Sequence, residues 1–205
     1  MTNGIEMVVG TAPRMRTAIR SIEEPFHRAV ALCCTRLDVG DVEVHVIDAP
    51  DEVIPEWGLG GYTYGPHTVV IAVDPDHVLD PLDVFSTVVH EIHHVVRWRG
   101  PGPGSSLAER LVTEGLAQVF EAEALGRPPL YAQGRVAEDE RARAIRHLEE
   151  DPADEGRWFF GSKDISRRFG YRLGYDVVAT ALGALGSDAS AMVCEPAATF
   201  DRWLH

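Results

Sequence analysis

Cysteine is scarce in this chain, and its placement argues against a disulfide-based fold. There are three cysteines, Cys33, Cys34 and Cys194, so the number is odd and two of them are adjacent. A disulfide framework normally uses an even set of spaced cysteines in an oxidising compartment. The first ten residues also lack the basic start and apolar core of a signal peptide. We therefore expect a protein of the cytoplasm.

Long apolar runs and a surplus of positive charge are missing as well. No segment reaches the roughly 20 apolar residues of a membrane-spanning helix, so we expect no membrane partner. Lys and Arg number 19 against 32 Asp and Glu, a formal net charge of -13, whereas phosphate binding needs clustered Lys and Arg. We therefore expect no nucleic-acid partner. The 205 residues are 45% hydrophobic, which predicts a real core and one domain over residues 1–205.

The most informative stretch of the sequence is His90-Glu91-Ile92-His93-His94. It contains His-Glu-x-x-His, in which His90 and His94 are four residues apart. On a helix, residues so spaced lie one above the other on the same face, so both imidazoles can bind one Zn²⁺. Glu91 would then lie beside the position of a metal-bound water. The pattern predicts one zinc ion per chain, in a site of the kind found in zinc hydrolases.

The residues around this motif predict the helix that it needs. Asp80 is a good N-cap and Pro81 suits the first helical position. No Gly or Pro interrupts residues 82–98, whereas the alternating Gly and Pro of residues 100–104 cannot continue a helix. Apolar residues cover most of the circumference, so we expect the helix to be buried. Buried histidines need polar partners, and a metal ion supplies one.

A hydrolytic zinc site uses three protein ligands and keeps a fourth position open, and the next predicted helix offers candidates for the third ligand. Ser106 opens a capping-box pattern and a helix that runs to about residue 125. Glu114 lies on this helix among small and apolar neighbours, and Gly115 would allow a close approach to the His-bearing helix. Glu121 lies two turns further along the same face. It stays an alternative, as a ligand or as a partner of one.

These motifs resemble those of the gluzincins, zinc peptidases with His-Glu-x-x-His on one helix and a ligand Glu on the next. More narrowly, the chain is similar to a family of predicted zinc-dependent proteases, catalogued as a domain of unknown function. The family pattern is His-Glu-aromatic-His-His, then Glu-Gly-Leu-Ala, then Gly-Tyr-x-x-Gly-Tyr. Residues 90–94, 114–117 and 170–175 match it, with Ile92 in place of the aromatic residue. The resemblance covers about residues 60–185.

The resemblance implies a zinc-dependent peptidase but supplies no substrate. From peptidase chemistry we expect the partner to be a peptide or protein substrate. The resemblance implies that His90, His94 and Glu114 hold the zinc. It also implies that Glu91 is the general base, which takes the proton of the metal-activated water and passes it to the leaving amine. The alternative is a non-catalytic zinc-binding module that serves as a regulator or scaffold, although such a module has no use for Glu91.

The oxyanion that develops during hydrolysis needs a hydrogen-bond donor besides zinc. Tyr171, Tyr175 and His93 are the candidates. Tyr171 and Tyr175 lie four residues apart on a helix that begins near residue 170, and core tyrosines would show the same spacing. We select Tyr171 as the catalytic candidate and expect His93 to have a structural or supporting role.

The remaining pattern predicts an α+β fold, mainly helical with a small mixed sheet, of the zincin-like kind. Residues 42–47 alternate as a half-buried strand, and residues 68–73 have the β-branched content of a strand. The latter is either an edge strand that receives the substrate or an ordinary buried strand. Residues 58–65 are a cleft wall or lid, or else a hairpin loop. Further helices are predicted at residues 13–36 and 197–205.

Overall fold

The computed structural model describes residues 4–10, 13–150 and 154–205. The chain divides into two compact units, Met1–Arg99 and Gly100–His205. The division falls at the start of the Gly- and Pro-rich stretch that ends the His-bearing helix. A compact unit need not fold independently, so the organisation of residues 1–205 as one domain stays a prediction.

Among the residues that the structure describes, helices outnumber strands, and the strands lie in the first unit. That unit contains β1 Ile5–Val9, α1 Met15–Arg36, β2 Val42–Asp48, β3 Leu59–Gly65, β4 Thr68–Val73 and α2 Pro81–Trp98. The second unit contains α3 Leu107–Leu125, α4 Glu138–Ile145, α5 Phe169–Leu185 and α6 Asp201–Leu204. The predicted α+β fold with a small mixed sheet is confirmed. None of the helices among the described residues combines the length and apolar character needed to cross a lipid bilayer.

The sheet of the first unit has the strand order β1-β2-β4-β3. β1, β2 and β4 run parallel, and β3 runs antiparallel to β4. Because β4 is paired on both sides, it has no free edge. The suggestion that residues 68–73 receive a substrate at a sheet edge is therefore wrong, and the alternative of an ordinary buried strand is correct. A strand between two neighbours is buried on most sides, which accounts for its β-branched residues.

β3 is an edge strand of this sheet. It forms a hairpin with β4, and the pairing is irregular between Thr63 and Gly65, where a bulge interrupts the register. The interpretation of residues 58–65 as a hairpin loop is wrong, because Leu59–Gly65 is a strand and forms one arm of the hairpin. The alternative role as a cleft wall or lid stays a prediction. α2 packs against β3 and β4, and α1 packs against α2. The His-bearing helix therefore lies directly on the edge strand.

In the second unit, α3 and α5 pack against each other along their lengths. Gly115 of α3 lies at their closest approach, where a Cβ atom would overlap the carbonyl oxygen of Gly174. Glycine is therefore required at position 115 to admit α5. The sequence analysis explained Gly115 by an approach to the His-bearing helix, whereas the contact observed at Gly115 is with α5.

Candidate metal centre

The helix that carries the His-Glu-x-x-His motif begins and ends where the sequence predicts. The side chain of Asp80 accepts a hydrogen bond from the backbone N–H of Leu82 at 2.8 Å, and Pro81 occupies the first turn. This N-cap satisfies one of the donors that a helix start leaves free. α2 continues to Trp98, and most of its side chains are buried. The motif therefore lies in the C-terminal half of a well-anchored, buried helix.

His90 and His94 direct one ring nitrogen each toward the same point. Their Nε2 atoms are 3.0 Å apart, and the ring planes meet at 82°. Two imidazole nitrogens bound to one tetrahedral zinc, each about 2.0–2.1 Å from the metal, lie roughly 3.3–3.4 Å apart. The observed separation is close to this value, so a small opening of the pair would accommodate an ion.

Glu91 is buried where α2 packs against β3, and only 6% of its surface is exposed. Oγ1 of Thr63 lies 2.8 Å from Oε2 of Glu91 and 3.0 Å from the backbone oxygen of the same residue. Gly61 lies beside it, and a Cβ atom built there would be 2.5 Å from Oε1 of Glu91. The edge strand thus supplies the surface against which this carboxylate is held. Sequence reasoning missed Thr63. The available signal was the spacing of two in Gly61-Tyr62-Thr63, which places residues 61 and 63 on one face of a strand.

α3 also follows its predicted limits. Ser106 and Glu109 form a reciprocal capping box at its start, and Gly126 ends it in the left-handed conformation. Glu114 on this helix is half-buried, whereas Glu121 is buried. Both carboxylates are thus partly or fully removed from solvent, unlike an ordinary surface glutamate.

Three side chains offer ligand atoms within the range of a single ion. One ligand atom each from His90, His94 and Glu114 lie within 4.8 Å of one another. Among the described residues, Glu121 belongs to no such group. Two imidazole nitrogens and one carboxylate oxygen are a donor set that zinc accepts, with a further position left for water or substrate. The residues present therefore fit a zinc ion.

Tyr171 lies in an aromatic stack within the second unit. Its ring stacks on Tyr131 at a centroid distance of 4.8 Å and meets Phe159 edge-on at 5.0 Å. Its backbone oxygen accepts a hydrogen bond at 3.0 Å from Nε2 of Gln118, which also lies 3.4 Å from the backbone oxygen of Glu114. Gln118 thus links the backbone of Tyr171 to the helix that carries Glu114. A core tyrosine would make the same ring contacts, so the catalytic role of Tyr171 stays a prediction.

The two other candidates for the oxyanion donor occupy different environments. Tyr175 is half-buried, and burial, together with the charge of Asp176, raises the pKa of its phenol. A raised pKa keeps the phenol protonated and able to donate a hydrogen bond. His93 is fully buried in α2, as expected of a structural histidine.

Comparison with known protein families gives a match over most of the chain. A family model described as "Predicted Zn-dependent protease (DUF2268)" matches residues 22–202. Searches of curated proteins and of solved structures gave no match. The matched range includes all the residues of the candidate metal centre.

Proposed function

The chain belongs to the family of predicted Zn-dependent proteases, and on that premise we propose that it is a zinc-dependent peptidase of the gluzincin type. His90, His94 and Glu114 would hold one zinc ion per chain, and Glu91 would be the general base. The observation that carries the proposal is the 3.0 Å separation of the two Nε2 atoms, next in sequence to a buried carboxylate.

The proposed roles of the site residues follow from the types of the metal-ligating atoms and from the position of Glu91. When bound, zinc supplies Lewis acidity, which polarises a carbonyl group and lowers the pKa of water toward about 7. Glu91 would accept a proton from the attacking water on its carboxylate and deliver it to the leaving amine. Its burial against β3 limits the water molecules that compete for this carboxylate. Tyr171 is the proposed donor to the developing oxyanion.

The composition of the site favours catalysis over a purely structural role. A structural zinc site normally closes all four positions with protein ligands, whereas a catalytic site keeps one open. Three candidate ligands are present here, and a carboxylate follows the first of them in sequence. A regulatory or scaffold module would gain nothing from that carboxylate.

The proposed substrate is a peptide or a protein segment in extended conformation. β3 has a strand neighbour on one side only among the described strands, and it contacts the helix that carries Glu91. Extended peptides bind at such edges by adding a strand to the sheet. We therefore place the substrate along β3 and not along β4. The net charge of -13 supports the absence of a nucleic-acid partner.

A cytoplasmic location belongs to the same proposal. Its support is the state of the cysteines, because Cys33, Cys34 and Cys194 are all free thiols. Proteins of oxidising compartments more often pair their cysteines.

The test combines a metal analysis with one conservative substitution. We expect about one zinc per chain in protein purified without chelator, and cleavage of members of a peptide library by that protein. Glu91→Gln should keep the zinc and lower the rate by roughly 10²–10⁴-fold, the usual contribution of a general base. The control is Glu138→Gln, which changes an exposed carboxylate of α4 and should leave both properties unchanged.

Two results would contradict the proposal. Zinc-loaded protein that cleaves no peptide would favour the non-catalytic module. Protein that neither contains zinc nor takes up added zinc would exclude the metal centre altogether.

A further inference from the structure

We propose that Thr63 is the positioning residue for Glu91, and that its hydroxyl holds the carboxylate in the orientation from which it acts as a base. This inference rests on the proposed function, since it assigns a partner to the proposed base. In this proposal, β3 both binds the substrate and orients Glu91, the proton acceptor.

The alternation of side chains along β3 directs Thr63 toward α2. Gly61 and Thr63 lie on the face that contacts Glu91, whereas Tyr62 and Tyr64 point to the opposite face and are exposed. The hydroxyl of Tyr62 donates to the backbone oxygen of Glu52 at 2.9 Å and is therefore engaged elsewhere. Thr63 is thus the side chain of this strand whose hydroxyl reaches Glu91.

The carboxylate needs such a partner because it is buried. A glutamate has three side-chain torsions, and a buried carboxylate without a hydrogen bond is costly. The hydroxyl of Thr63, 2.8 Å from Oε2, satisfies this requirement and restricts those torsions. In the described part of the structure, it is the hydrogen-bond donor to the side chain of Glu91.

The hydroxyl of Thr63 faces two acceptors of the same residue. Oγ1 of Thr63 has one hydrogen and lies 2.8 Å from Oε2 of Glu91 and 3.0 Å from the backbone oxygen of Glu91. The side chain of Thr63 thus lies against both the carboxylate and the backbone of Glu91, which fixes the carboxylate relative to the helix that carries it.

Gly61 gives independent support, because it leaves the space that this orientation occupies. A Cβ atom at residue 61 would be 2.5 Å from Oε1 of Glu91 and 2.7 Å from its Cγ. Both distances are too short for real contacts. One residue of the strand thus leaves room for the carboxylate, and the residue two positions on binds it.

The experiment compares two substitutions of Thr63 in the zinc-loaded full-length protein. Thr63→Val replaces the hydroxyl with a methyl group of similar size, and Thr63→Ser keeps the hydroxyl. We expect Thr63→Val to lower kcat by about 10–100-fold, since a misplaced catalytic group typically costs up to about 10²-fold. KM and the zinc content should stay unchanged. Thr63→Ser should recover kcat to within a few-fold of the wild type.

A second measurement does not depend on activity and applies to the metal-free protein. Thr63→Val should lower the Tm of the wild type by a few degrees. It should have less effect in protein that already carries Glu91→Ala, because the hydrogen bond to the carboxylate is then absent from both proteins, while the one to the backbone oxygen can form in either background. Non-additivity of this kind reports a direct interaction between the two side chains. Additive changes in Tm would overturn the inference even if Thr63→Val folds poorly.

The outcomes separate this inference from the proposed function. If the wild type is active and Glu91→Gln is not, but Thr63→Val keeps the wild-type kcat, the inference fails alone. It also fails alone if Thr63→Ser loses as much activity as Thr63→Val, since the hydroxyl would then be irrelevant. If Glu91→Gln retains full activity, the proposed mechanism and the inference fail together.

Discussion

Gly115 of α3 and Gly174 of α5 lie backbone against backbone. A Cβ atom on Gly115 would overlap the carbonyl oxygen of Gly174, and one on Gly174 would overlap that of Leu111. This contact fixes the spacing of the two helices that carry Glu114 and Tyr171. It also accounts for the small residue that follows the proposed ligand in Glu-Gly-Leu-Ala.

The first prediction concerns the stability of this helix pair. Gly115→Ala should lower the free energy of unfolding by about 1–3 kcal/mol, as expected when a side chain is forced into a packed contact. Gly183→Ala is the matched control, since Gly183 lies on α5 with open space where the Cβ would be. It should raise the free energy of unfolding by roughly 0.5–1 kcal/mol through the better helix propensity of alanine. Urea unfolding measures both, and stabilisation by both variants would contradict the packing described.

The second prediction distinguishes the two candidates for the third metal ligand. Glu114→Gln should weaken zinc binding by at least about 100-fold, because loss of a partner that merely orients a ligand already costs 10–100-fold. Glu121→Gln should change the zinc affinity much less. Competition with a chelating dye gives both constants. The reverse order would make Glu121 the ligand and would remove Glu114 from the site.

The third prediction uses two glycines of the edge strand. Gly61→Ala should displace the carboxylate of Glu91 and lower kcat by about 10-fold or more, since small displacements at a reacting centre are costly. Gly65 lies on the same strand with nothing within 4 Å of the position of a Cβ atom. Gly65→Ala should therefore leave kcat unchanged. Equal effects of the two substitutions on kcat would show that the strand responds to any added side chain.

The fourth prediction concerns the reactivity of the cysteines and its dependence on pH. Burial raises the pKa of the Cys33 thiol to about 12 from an ordinary value of 9.0, whereas Cys34 and Cys194 are exposed. Because the thiolate is the reactive form, a thiol reagent should label two cysteines of the folded chain quickly at pH 8. Cys33 should stay slow even at pH 9.5 and react once the protein is unfolded.

The raised pKa of Cys33 also has a consequence for stability, with a defined sign. The unfolded chain releases this proton near pH 9.0 and the folded chain only near pH 12. The unfolded state therefore binds fewer protons between these values, and stability falls as the pH rises through this window.

Rapid labelling of three cysteines in the folded protein at pH 8 would contradict the burial of Cys33.

The sequence was sufficient for the parts of the site that depend on local signals. Asp80 with Pro81 predicted the start of α2, Ser106 predicted the start of α3, and the Gly- and Pro-rich residues 100–104 predicted the break between them. Capping and chain-breaking residues act within one turn of the helix, so they can be read without knowledge of tertiary contacts. The spacing of His90 and His94 belongs to the same class of signal, because both lie on one helix.

The features that were missed depend on which elements become neighbours. β1 was not predicted, because Ile5–Val9 is a short, half-buried strand whose order comes from pairing with β2. The high β-branched content of residues 68–73 predicted a strand but not its neighbours, so it did not reveal that β3 would form the edge of the sheet beside β4. The partner of Gly115 and the hydrogen bond from Thr63 to Glu91 likewise join residues that are distant in sequence. A single sequence carries the residue types for such contacts but not the pairing.

The bulge between Thr63 and Gly65 has a consequence for how copies of this chain behave toward one another. A long, straight outer strand presents an unbroken row of N–H and C=O groups, onto which further chains can add to build a fibril. In β3 the regular pairing with β4 covers Leu59 to Thr63 and then breaks, and a bulge bends and twists the strand that contains it. Leu59 is bridged to Ile54 on its outer side, so the proposed substrate would align along the four residues that follow, Gly60 to Thr63. A stack of copies in register finds no flat template. The bulge would thus permit the binding of one extended peptide while disfavouring the stacking of copies that starts a fibril.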